Sequence, residues 1–249
     1  MESPKTWHII ERETSPSTNT ELKELAAAGA PAGTVLIARR QTAGRGRLGR
    51  SFFSPDGTGL YLSVLLRPSA SPEEVLRLTP LAAVAAARGV QRVCHAEVGI
   101  KWVNDLYLKG KKVCGILTEG VLNPATGALD FVVCGAGFNL CPPKDGFPPE
   151  LKEIAGAITE SYDPQLPALL AKAFLEELHV ALEQPFSQAL EEYRRRSVLT
   201  GKTVFSPTQS FPGYGTVLGI DEEGGLRIRL SDGREQILTG GEVSIRVCE

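Results

Sequence analysis

The spacing of hydrophobic and polar positions divides most of the chain into alternating helical and extended segments. Apolar residues that recur every three or four positions predict helices, and short apolar or alternating runs predict strands. The helical spacing covers residues 17–29, 72–89, 165–182 and 186–196. The strand-like runs cover residues 34–38, 60–66, 98–108, 112–121 and 128–134. Thr18 and Glu21 have capping-box spacing at the first helix, and Ser71 before Pro72 is typical of the start of the second.

The pattern changes near Gly201, after which no long helical spacing remains. Short alternating runs predict strands over residues 203–205, 215–220, 226–230, 235–238 and 243–247, with glycine turns at 223–225 and 232–233. Nine of the 26 glycines lie in this region. Five short strands joined by glycine turns are typical of a small barrel. We therefore expect a domain boundary near residues 197–201, with one domain over 1–198 and a second over 199–249.

The composition excludes several classes of protein without choosing among the rest. The 249 residues carry a net charge of −2 and are 42% hydrophobic and 22% charged, which is ordinary for a globular protein. These values argue against a strongly basic nucleic-acid binder and an acidic disordered chain. The N-terminus lacks the apolar run of a signal peptide, and no apolar stretch reaches the ~18 residues of a membrane span. We expect a cytoplasmic protein with no membrane partner.

The cysteines and histidines carry no recognisable catalytic or metal-binding pattern. The five cysteines, at positions 94, 114, 134, 141 and 248, form no Cys-x-x-Cys pair. We expect buried free thiols in a reducing compartment and no zinc site. The three histidines, at positions 8, 95 and 179, belong to no motif, and no Ser/His/Asp set is evident.

Residues 39–50, RRQTAGRGRLGR, form the strongest local concentration of charge and are here named the Gly–Arg loop. The loop holds five arginines, and no acidic residue lies between Glu24 and Asp56. Guanidinium groups can bind phosphate and carboxylate oxygens through two hydrogen bonds, and glycines let backbone N–H groups approach an anion closely. The loop therefore indicates an anion site, the alternatives being a solvated basic loop or an RNA-binding segment.

The spacing Gly44-x-Gly46-x-x-Gly49 also matches the dinucleotide-binding fingerprint letter by letter. That fingerprint must open into a helix, which the Pro- and Gly-containing residues 51–59 cannot form. The acidic residue that should follow about 20 positions later is also missing. We therefore reject a dinucleotide-binding loop.

Further chemistry-bearing residues lie at the ends of the predicted strands. As a strand, Lys101–Asp105 would place Ile100, Trp102 and Asn104 on one face; the alternative is a turn at Asn104–Asp105 with Trp102 in the core. Lys112 is the last charge before an apolar run, so it either points into a site or is an exposed hairpin lysine.

A glycine pair, Gly135 and Gly137, ends the last predicted strand of the first domain and permits close approach of a ligand or another strand. Together with the Gly–Arg loop, Lys112 and the asparagines, it predicts an anion-binding site at strand ends with one apolar wall.

The order of these motifs resembles that of the biotin protein ligases, the biotin–[acetyl-CoA-carboxylase] ligases. The matching segments are Ser17–Asn19, Gln41–Arg50, Lys101–Asp105, Lys112–Leu117 and Gly135–Asn139. The resemblance implies an α+β fold: a central mixed β-sheet flanked by helices, of the class II synthetase-like biotin/lipoate ligase type, followed by a small C-terminal SH3-like barrel. It also implies an enzyme of the monofunctional type. Since the first motif begins at Ser17, we expect no N-terminal helix-turn-helix domain and no DNA binding.

The reaction implied by the resemblance has two steps. The biotin carboxylate attacks the α-phosphate of ATP to give biotinyl-5′-AMP, and a lysine of the biotin carboxyl carrier protein, a subunit of acetyl-CoA carboxylase, then takes the biotinyl group. Biotin and ATP are substrates, Mg²⁺ comes with ATP, and no tightly bound cofactor or protein metal site is expected. A homodimer formed through sheet edges is possible in this family.

The resemblance also implies roles for individual residues. The residues expected to bind biotin are Ser17, Thr18, Asn19, Gln41, Gly44, Arg45, Gly115, Gly135 and Gly137. Those expected to bind the nucleotide are Arg47, Arg50, Phe52, Lys101, Asn104, Lys112 and Asn139. The expected catalytic residues are Lys112, Arg47, Arg50 and Asp105, with Asp105 orienting either Lys112 or the incoming amine.

Two positions depart from the family pattern. Val103 stands where the family usually has Pro, which changes no chemical group. Phe52 or Phe53 must replace a Trp that usually follows the glycine–arginine motif, which keeps an apolar contact but loses the indole N–H.

Two other functions compete with this interpretation. A lipoate or octanoate ligase or transferase shares the general fold but lacks the Gly-Arg-Gly-Arg pattern. A non-catalytic regulator or nucleic-acid-binding module could use the basic loop, although the near-neutral charge and the lack of aromatic residues among the arginines count against it.

Overall fold

The computed structural model describes residues 3–68, 72–206, 213–239 and 246–247. Two β-sheets and five α-helices make up this part of the chain. The predicted cap Ser71, the start of the last predicted strand (243–245) and Cys248 lie outside the described residues.

The larger sheet has seven strands and is mixed, as predicted. The strands are β1 (His8–Ser15), β2 (Thr34–Gln41), β3 (Gly59–Leu66), β4 (Gly99–Lys101), β5 (Asp105–Leu108), β6 (Lys111–Leu122) and β7 (Leu129–Asn139). Their order is β1-β2-β3-β7-β6-β5-β4, and only β1 and β2 pair in parallel.

Helices cover both faces of this sheet. The helices are α1 (Thr18–Ala27), α2 (Pro72–Leu76), α3 (Leu78–Cys94), α4 (Leu166–Glu183) and α5 (Phe186–Arg195). Alternate residues of β3 and β7 belong to two separate apolar clusters, one with α3, α4 and α5 and a smaller one with α1. Because both faces are covered, these strands appear in the sequence as continuous apolar runs rather than alternating ones.

Four elements differ from the sequence-based prediction. The strand β7 continues to Asn139, so Gly135 and Gly137 lie inside it and do not end it. The single helix predicted over 72–89 is two helices that meet at Arg77, and α3 continues to Cys94. The strand predicted over 98–108 is interrupted by a turn at residues 102–104, so Ile100, Trp102 and Asn104 do not share a strand face. Trp102 is buried in the core, which agrees with the alternative of a turn in this segment. The strand β1 was not predicted, because it lies at an edge of the sheet with most of its side chains exposed and therefore lacks the pattern of a buried strand.

The C-terminal sheet is antiparallel, which agrees with the predicted SH3-like barrel. Its strands are β8 (Thr203–Ser206), β9 (Gly213–Ile220), β10 (Leu226–Leu230), β11 (Glu235–Leu238) and β12 (Arg246–Val247), in the order β11-β10-β9-β8-β12. Apolar side chains from β8 to β11, such as Val204, Val217 and Ile228, are buried.

The remaining sequence-based expectations concern the cysteines and membrane spans. Cys114, Cys134 and Cys141 are buried free thiols, as predicted, whereas Cys94 is half-buried. Burial raises the pKa of Cys94 and of Cys134 to about 11. Within the described ranges, none of the helices combines the length and apolar character needed to cross a bilayer.

Candidate active site

A pocket with two adjoining compartments opens where β6 and β7 meet the start of α1 and the Gly–Arg loop. The first compartment has about 450 Å³ of space and the second about 1300 Å³, each partly open to solvent. Five residues line both: Gly46, Arg47, Phe52, Asn104 and Lys112. The two compartments are therefore halves of one site that meet at a common wall.

The predicted site residues divide between the two compartments. Of those expected to bind biotin, all except Gly44 line the first compartment: Ser17, Thr18, Asn19, Gln41, Arg45, Gly115, Gly135 and Gly137. Those expected to bind the nucleotide or to act in catalysis line the second: Arg47, Arg50, Phe52, Lys101, Asn104, Asp105, Lys112 and Asn139. The structure thus brings together residues from positions 17 to 139 of the chain.

The start of α1 carries a buried polar network. The N-cap is Ser17, not the predicted Thr18, and Ser17 makes no side-chain capping bond, so its side chain lines the pocket instead. The Gln41 side-chain oxygen accepts hydrogen bonds from the Thr18 backbone N–H at 2.8 Å and from the Thr18 hydroxyl at 3.2 Å. The buried Ser63 hydroxyl lies 2.6 Å from Asn19 Oδ1, to which it donates, and 2.7 Å from Thr18 Oγ1. These contacts fix the positions of the polar groups in the first compartment.

Glycines form the floor of the pocket because side chains cross directly above them. A Cβ at Gly137 would lie 2.6 Å from the Phe52 ring, and one at Gly115 would lie 3.1 Å from Lys112 Nζ. A Cβ at Gly135 would overlap Asn19 Oδ1. The predicted close approach at these glycines is therefore made by side chains of the protein itself.

Lys112 lies at the common wall and forms an ion pair with Asp105. Its Nζ is 2.7 Å from Asp105 Oδ1 and 5.9 Å from the centre of the Phe52 ring. Lys112 is the second residue of β6 and pairs with Tyr107, whereas Asp105 begins β5 and pairs with Gly115. The Lys112 side chain reaches Asp105 by passing over Gly115, where a Cβ would lie 3.1 Å from its Nζ. Of the two partners predicted for Asp105, Lys112 is the one it contacts.

The Gly–Arg loop is a short hairpin and does not open into a helix, which agrees with the rejection of a dinucleotide-binding loop. Backbone hydrogen bonds join Gly46 N to Arg50 O at 2.7 Å and Phe52 N to Gly44 O at 2.8 Å. Of its five arginines, Arg45, Arg47 and Arg50 line the pocket, whereas Arg39 pairs with Glu13 and Asp56 outside it.

Cationic groups crowd the second compartment. Arg47 donates to Asn104 Oδ1 at 3.2 Å, and burial lowers the pKa of Arg47 against the opposing effect of Asp105. Burial also lowers the pKa of Lys101, with Lys112 and Arg50 acting in the same direction and Asp105 opposing. An anion bound here would relieve this repulsion.

Sequence reasoning missed an irregular segment over residues 142–158, which forms the apolar wall of the second compartment. The segment is held by backbone hydrogen bonds from Lys112 N to Ile154 O and from Gly156 N to Lys112 O, both 2.8 Å. It supplies Phe147, Leu151, Ile154 and Ala155 to the wall. Its apolar residues have no helical or strand spacing, so the periodicity offered no signal for it. The apolar residues Leu62, Ile116, Leu117 and Ala136 of the first compartment were also not predicted.

The C-terminal sheet reaches the back of the second compartment through one turn. The Trp102 indole N–H donates to the Gly224 carbonyl at 2.9 Å, a buried contact between the Lys101–Asp105 segment and the turn that joins β9 to β10. Arg77 Nε donates to Glu223 at 3.1 Å beside it. Trp102 is thus part of both the pocket lining and the contact between the two sheets.

Residues 10–139 match the model of the biotin/lipoate A/B protein ligase family. The chain belongs to this family. Residues 203–246 match a second model, the biotin protein ligase C terminal domain, which points within the family to the biotin protein ligases and confirms the resemblance inferred from the motifs.

Individual members of the family are similar over nearly the whole chain. The bifunctional ligase/repressor BirA of Bacillus spizizenii is 32% identical, over 92% of this chain and 72% of its own length. The biotin–[acetyl-CoA-carboxylase] ligase of Paracoccus denitrificans is 31% identical, over 91% of this chain and 96% of its own. The structure of the Aquifex aeolicus biotin protein ligase in complex with biotin and ATP matches with a TM-score of 0.79 and 28% identity, over 97% of this chain and 99% of that one.

Proposed function

We propose that this protein is an ATP-dependent biotin ligase that activates biotin as biotinyl-5′-AMP and transfers the biotinyl group to a lysine of a carrier protein. The observation that carries the proposal is the pair of adjoining compartments with Lys112 on their common wall. One compartment offers fixed polar groups for a small ligand, and the other offers clustered cations and an apolar wall. A reaction that joins a carboxylate to a nucleotide needs such an arrangement.

The first compartment suits the biotin head group. The ureido ring has both hydrogen-bond donors and acceptors, which the hydroxyl and amide groups of Ser17, Thr18 and Gln41 can pair. A lipoyl dithiolane ring has no N–H donors and no carbonyl, so it would leave these polar groups unpaired when it excludes water. This mismatch favours biotin over the lipoate or octanoate alternative.

In the first step, a carboxylate oxygen of biotin attacks the α-phosphorus of ATP, and the bond to the bridging oxygen breaks as pyrophosphate leaves. The Lys112 ammonium group would bind both the carboxylate and the α-phosphate and stabilise the negative charge that develops between them. Arg47 and Arg50 would bind the phosphates from the Gly–Arg loop. Positioning and charge neutralisation carry such a step, which needs no general base.

In the second step, the neutral amine of the carrier lysine attacks the carbonyl carbon of the mixed anhydride, the bond to the AMP oxygen breaks, and the amine loses a proton. Asp105 lies next to Lys112, and we propose that it orients Lys112 in the first step. Asp105 also lines the second compartment, where its carboxylate could accept a hydrogen bond from the incoming amine.

The second compartment suits adenosine and its phosphates. Its apolar wall, which contains Phe53, Phe147, Leu151 and Ile154, could pack against the adenine ring, and its four cations surround the space for phosphates. No cluster of three or more metal-ligating side chains occurs in the part of the chain that the structure describes. We propose that Mg²⁺ enters with ATP, since Mg²⁺ is commonly held by phosphates and water with few protein ligands.

The domain and partner expectations form part of the same proposal. Residues 1–198 would hold both substrates, and residues 199–249 would form the C-terminal barrel. The carrier would be the biotin carboxyl carrier protein of acetyl-CoA carboxylase, the protein complex named in the relatives from Paracoccus denitrificans and Mycobacterium tuberculosis. The cytoplasmic location, the absence of DNA binding and a homodimer stay predictions.

One pair of assays tests the proposal. The purified protein should exchange labelled pyrophosphate into ATP only when biotin is present, and with ATP it should attach biotin to a recombinant carrier domain. A carrier domain whose target lysine is replaced by Arg is the control. Exchange that requires lipoate or octanoate in place of biotin would support the alternative function, and no exchange with any of these acids would contradict a ligase.

A further inference from the structure

We infer that Glu119 is a positioning residue for the first compartment, an inference that rests on the proposed binding of biotin there. Glu119 lies on β6, and its side chain is 20% exposed. It lines neither compartment, yet its carboxylate contacts three side chains from two elements that do: Asn19 and Lys23 of α1, and Arg45 of the Gly–Arg loop.

The contact with Arg45 attaches the Gly–Arg loop to the sheet. Both terminal nitrogens of Arg45 face the carboxylate, with Nη2 3.1 Å from Glu119 Oε1 and Nη1 3.3 Å from Oε2. A two-pronged pair of this kind fixes the direction of the guanidinium group as well as its distance. Backbone hydrogen bonds from Thr42 N to Ser15 O at 3.0 Å and from Ala43 N to Pro16 O at 2.8 Å hold the start of the loop, and the Arg45 pair adds a side-chain attachment further along it.

The contact with Asn19 fixes an amide in the pocket lining. Asn19 Nδ2 donates to Glu119 Oε2 at 2.9 Å and to the Leu117 carbonyl at 3.1 Å, which uses both of its N–H groups. The Asn19 oxygen must then face Ser63, which donates to it. Glu119 and the Leu117 carbonyl together therefore determine which end of this amide faces the buried hydroxyl groups.

The carboxylate of Glu119 is held in its charged form. Burial would raise its pKa, but hydrogen bonds from Asn19 and Lys23 and the charges of Lys23 and Arg45 outweigh burial, so the pKa lies below its ordinary value. The ionised group is an acceptor only, and every partner it faces is a donor. A glutamine of the same shape would present N–H groups to at least one of these donors, so the network could not close in the same way.

Two variants and one control test the inference. Glu119→Gln keeps the shape and removes the charge, and Glu119→Asp keeps the charge but shortens the side chain. Asp130→Asn is the matched control, because Asp130 on the neighbouring strand β7 pairs with Arg67 at 3.2 Å and lines neither compartment. Biotin and ATP binding are measured separately by calorimetry, and the accessibility of the Gly–Arg loop is measured as the rate of trypsin cleavage after Arg45, Arg47 or Arg50.

We expect Glu119→Gln to raise the Kd for biotin by at least about tenfold, the scale of one charge-assisted hydrogen bond, and to raise the Kd for ATP by a smaller factor, because the contact with Asn19 acts in the first compartment only. Glu119→Asp should fall between Glu119→Gln and the unaltered protein, and trypsin should cleave the loop of Glu119→Gln faster than that of Asp130→Asn. If Glu119→Gln does not fold, Glu119→Asp and its biotin-to-ATP selectivity carry the test.

Equal biotin affinity and equal cleavage in Glu119→Gln and the unaltered protein would overturn the inference. An equal loss of biotin and ATP affinity together with a lower free energy of unfolding would also overturn it, since that indicates a general loss of structure. If the unaltered protein binds no biotin, the proposed function fails. This result is distinguishable from failure of the inference about Glu119, because it is seen in the unaltered protein and does not involve the variants.

Discussion

The two compartments of the pocket are built on opposite principles. The first is lined by Thr18, Asn19 and Gln41, whose side chains already hydrogen-bond to one another or to the buried Ser63. The second is lined by four cations around an apolar wall supplied by a segment without regular structure. A fixed polar network recognises one arrangement of donors and acceptors, whereas clustered charge and apolar surface bind a charged nucleotide with less geometric restriction.

Removal of Lys112 should have the largest effect, because it belongs to both compartments. We expect Lys112→Ala to lower the rate of biotin-dependent pyrophosphate exchange about 1,000-fold, the upper range for the loss of one group that stabilises transition-state charge. Lys111→Ala is the control, since Lys111 Nζ donates to the Lys152 carbonyl outside both compartments. Near-normal exchange in Lys112→Ala would show that another group holds the carboxylate and phosphate.

A change in the floor of the first compartment should separate the two substrates. A Cβ in Gly135→Ala would displace Asn19 from Ser63 and leave buried polar groups unpaired. We expect the Kd for biotin to rise by about 10- to 100-fold, from a cost of about 1–3 kcal/mol, while the Kd for ATP changes little. Gly120→Ala on β6 is the control, because a Cβ there meets only the end of the Leu129 side chain at 3.2 Å. Equal losses for both substrates would contradict the division of roles.

The contact between the two sheets should affect the second compartment alone. Trp102→Phe removes the indole N–H that donates to Gly224, at a cost of about 1 kcal/mol. We expect the KM for ATP to rise about fivefold with the KM for biotin unchanged. Trp7→Phe, at the other tryptophan of the chain, is the matched control. A change in the KM for biotin and not in that for ATP would contradict this prediction, because it would show that the C-terminal sheet acts on the first compartment.

A pH-dependent ion pair whose members line neither compartment gives the smallest expected effect on activity. Glu192 on α5 pairs with Arg88 and Arg196, whose hydrogen bonds and charges outweigh burial and lower the pKa of Glu192 below its ordinary value of 4.5. A lowered folded-state pKa stabilises the fold above pH 4.5, and this contribution is lost as the pH falls through the folded-state value.

Urea unfolding of Glu192→Gln and the unaltered protein at several pH values measures this contribution. We expect the variant to be less stable at neutral pH, the difference to shrink in acid, and both substrate KM values to stay unchanged. A difference in the free energy of unfolding that does not change with pH would contradict the assigned cause.

The sequence predicted the elements whose residues keep a regular period. The buried strand β3 and the helices α4 and α5 were found within a few residues, because tertiary burial and local spacing agree there, whereas β7 extends five residues beyond its predicted end. The edge strand β1 was missed because it depends on its pairing with β2. The sequence left open whether residues 101–105 form a strand or a turn with Trp102 in the core, and the choice depends on a distant neighbour, the Gly224 carbonyl that accepts from Trp102.

The residues of the site were likewise predicted where their sequence pattern is distinctive and missed where it is not. The motifs that carry the family resemblance identified residues in both compartments, since glycines, arginines and amides are conspicuous in the sequence. Glu119 was not singled out, because one glutamate in a strand has no distinctive spacing. Residues 142–158 were missed because the wall they form is held by backbone hydrogen bonds to Lys112, which leave no pattern in the side chains.

The common wall of the two compartments limits how the pocket could be redesigned for unnatural substrates. An exchange at Phe52 or Asn104 would alter both halves at once, so a variant made to accept a bulkier biotin analogue there would also lose nucleotide binding. Ser17 and Gln41 line the first compartment only. Libraries for analogue transfer should therefore begin at these two positions.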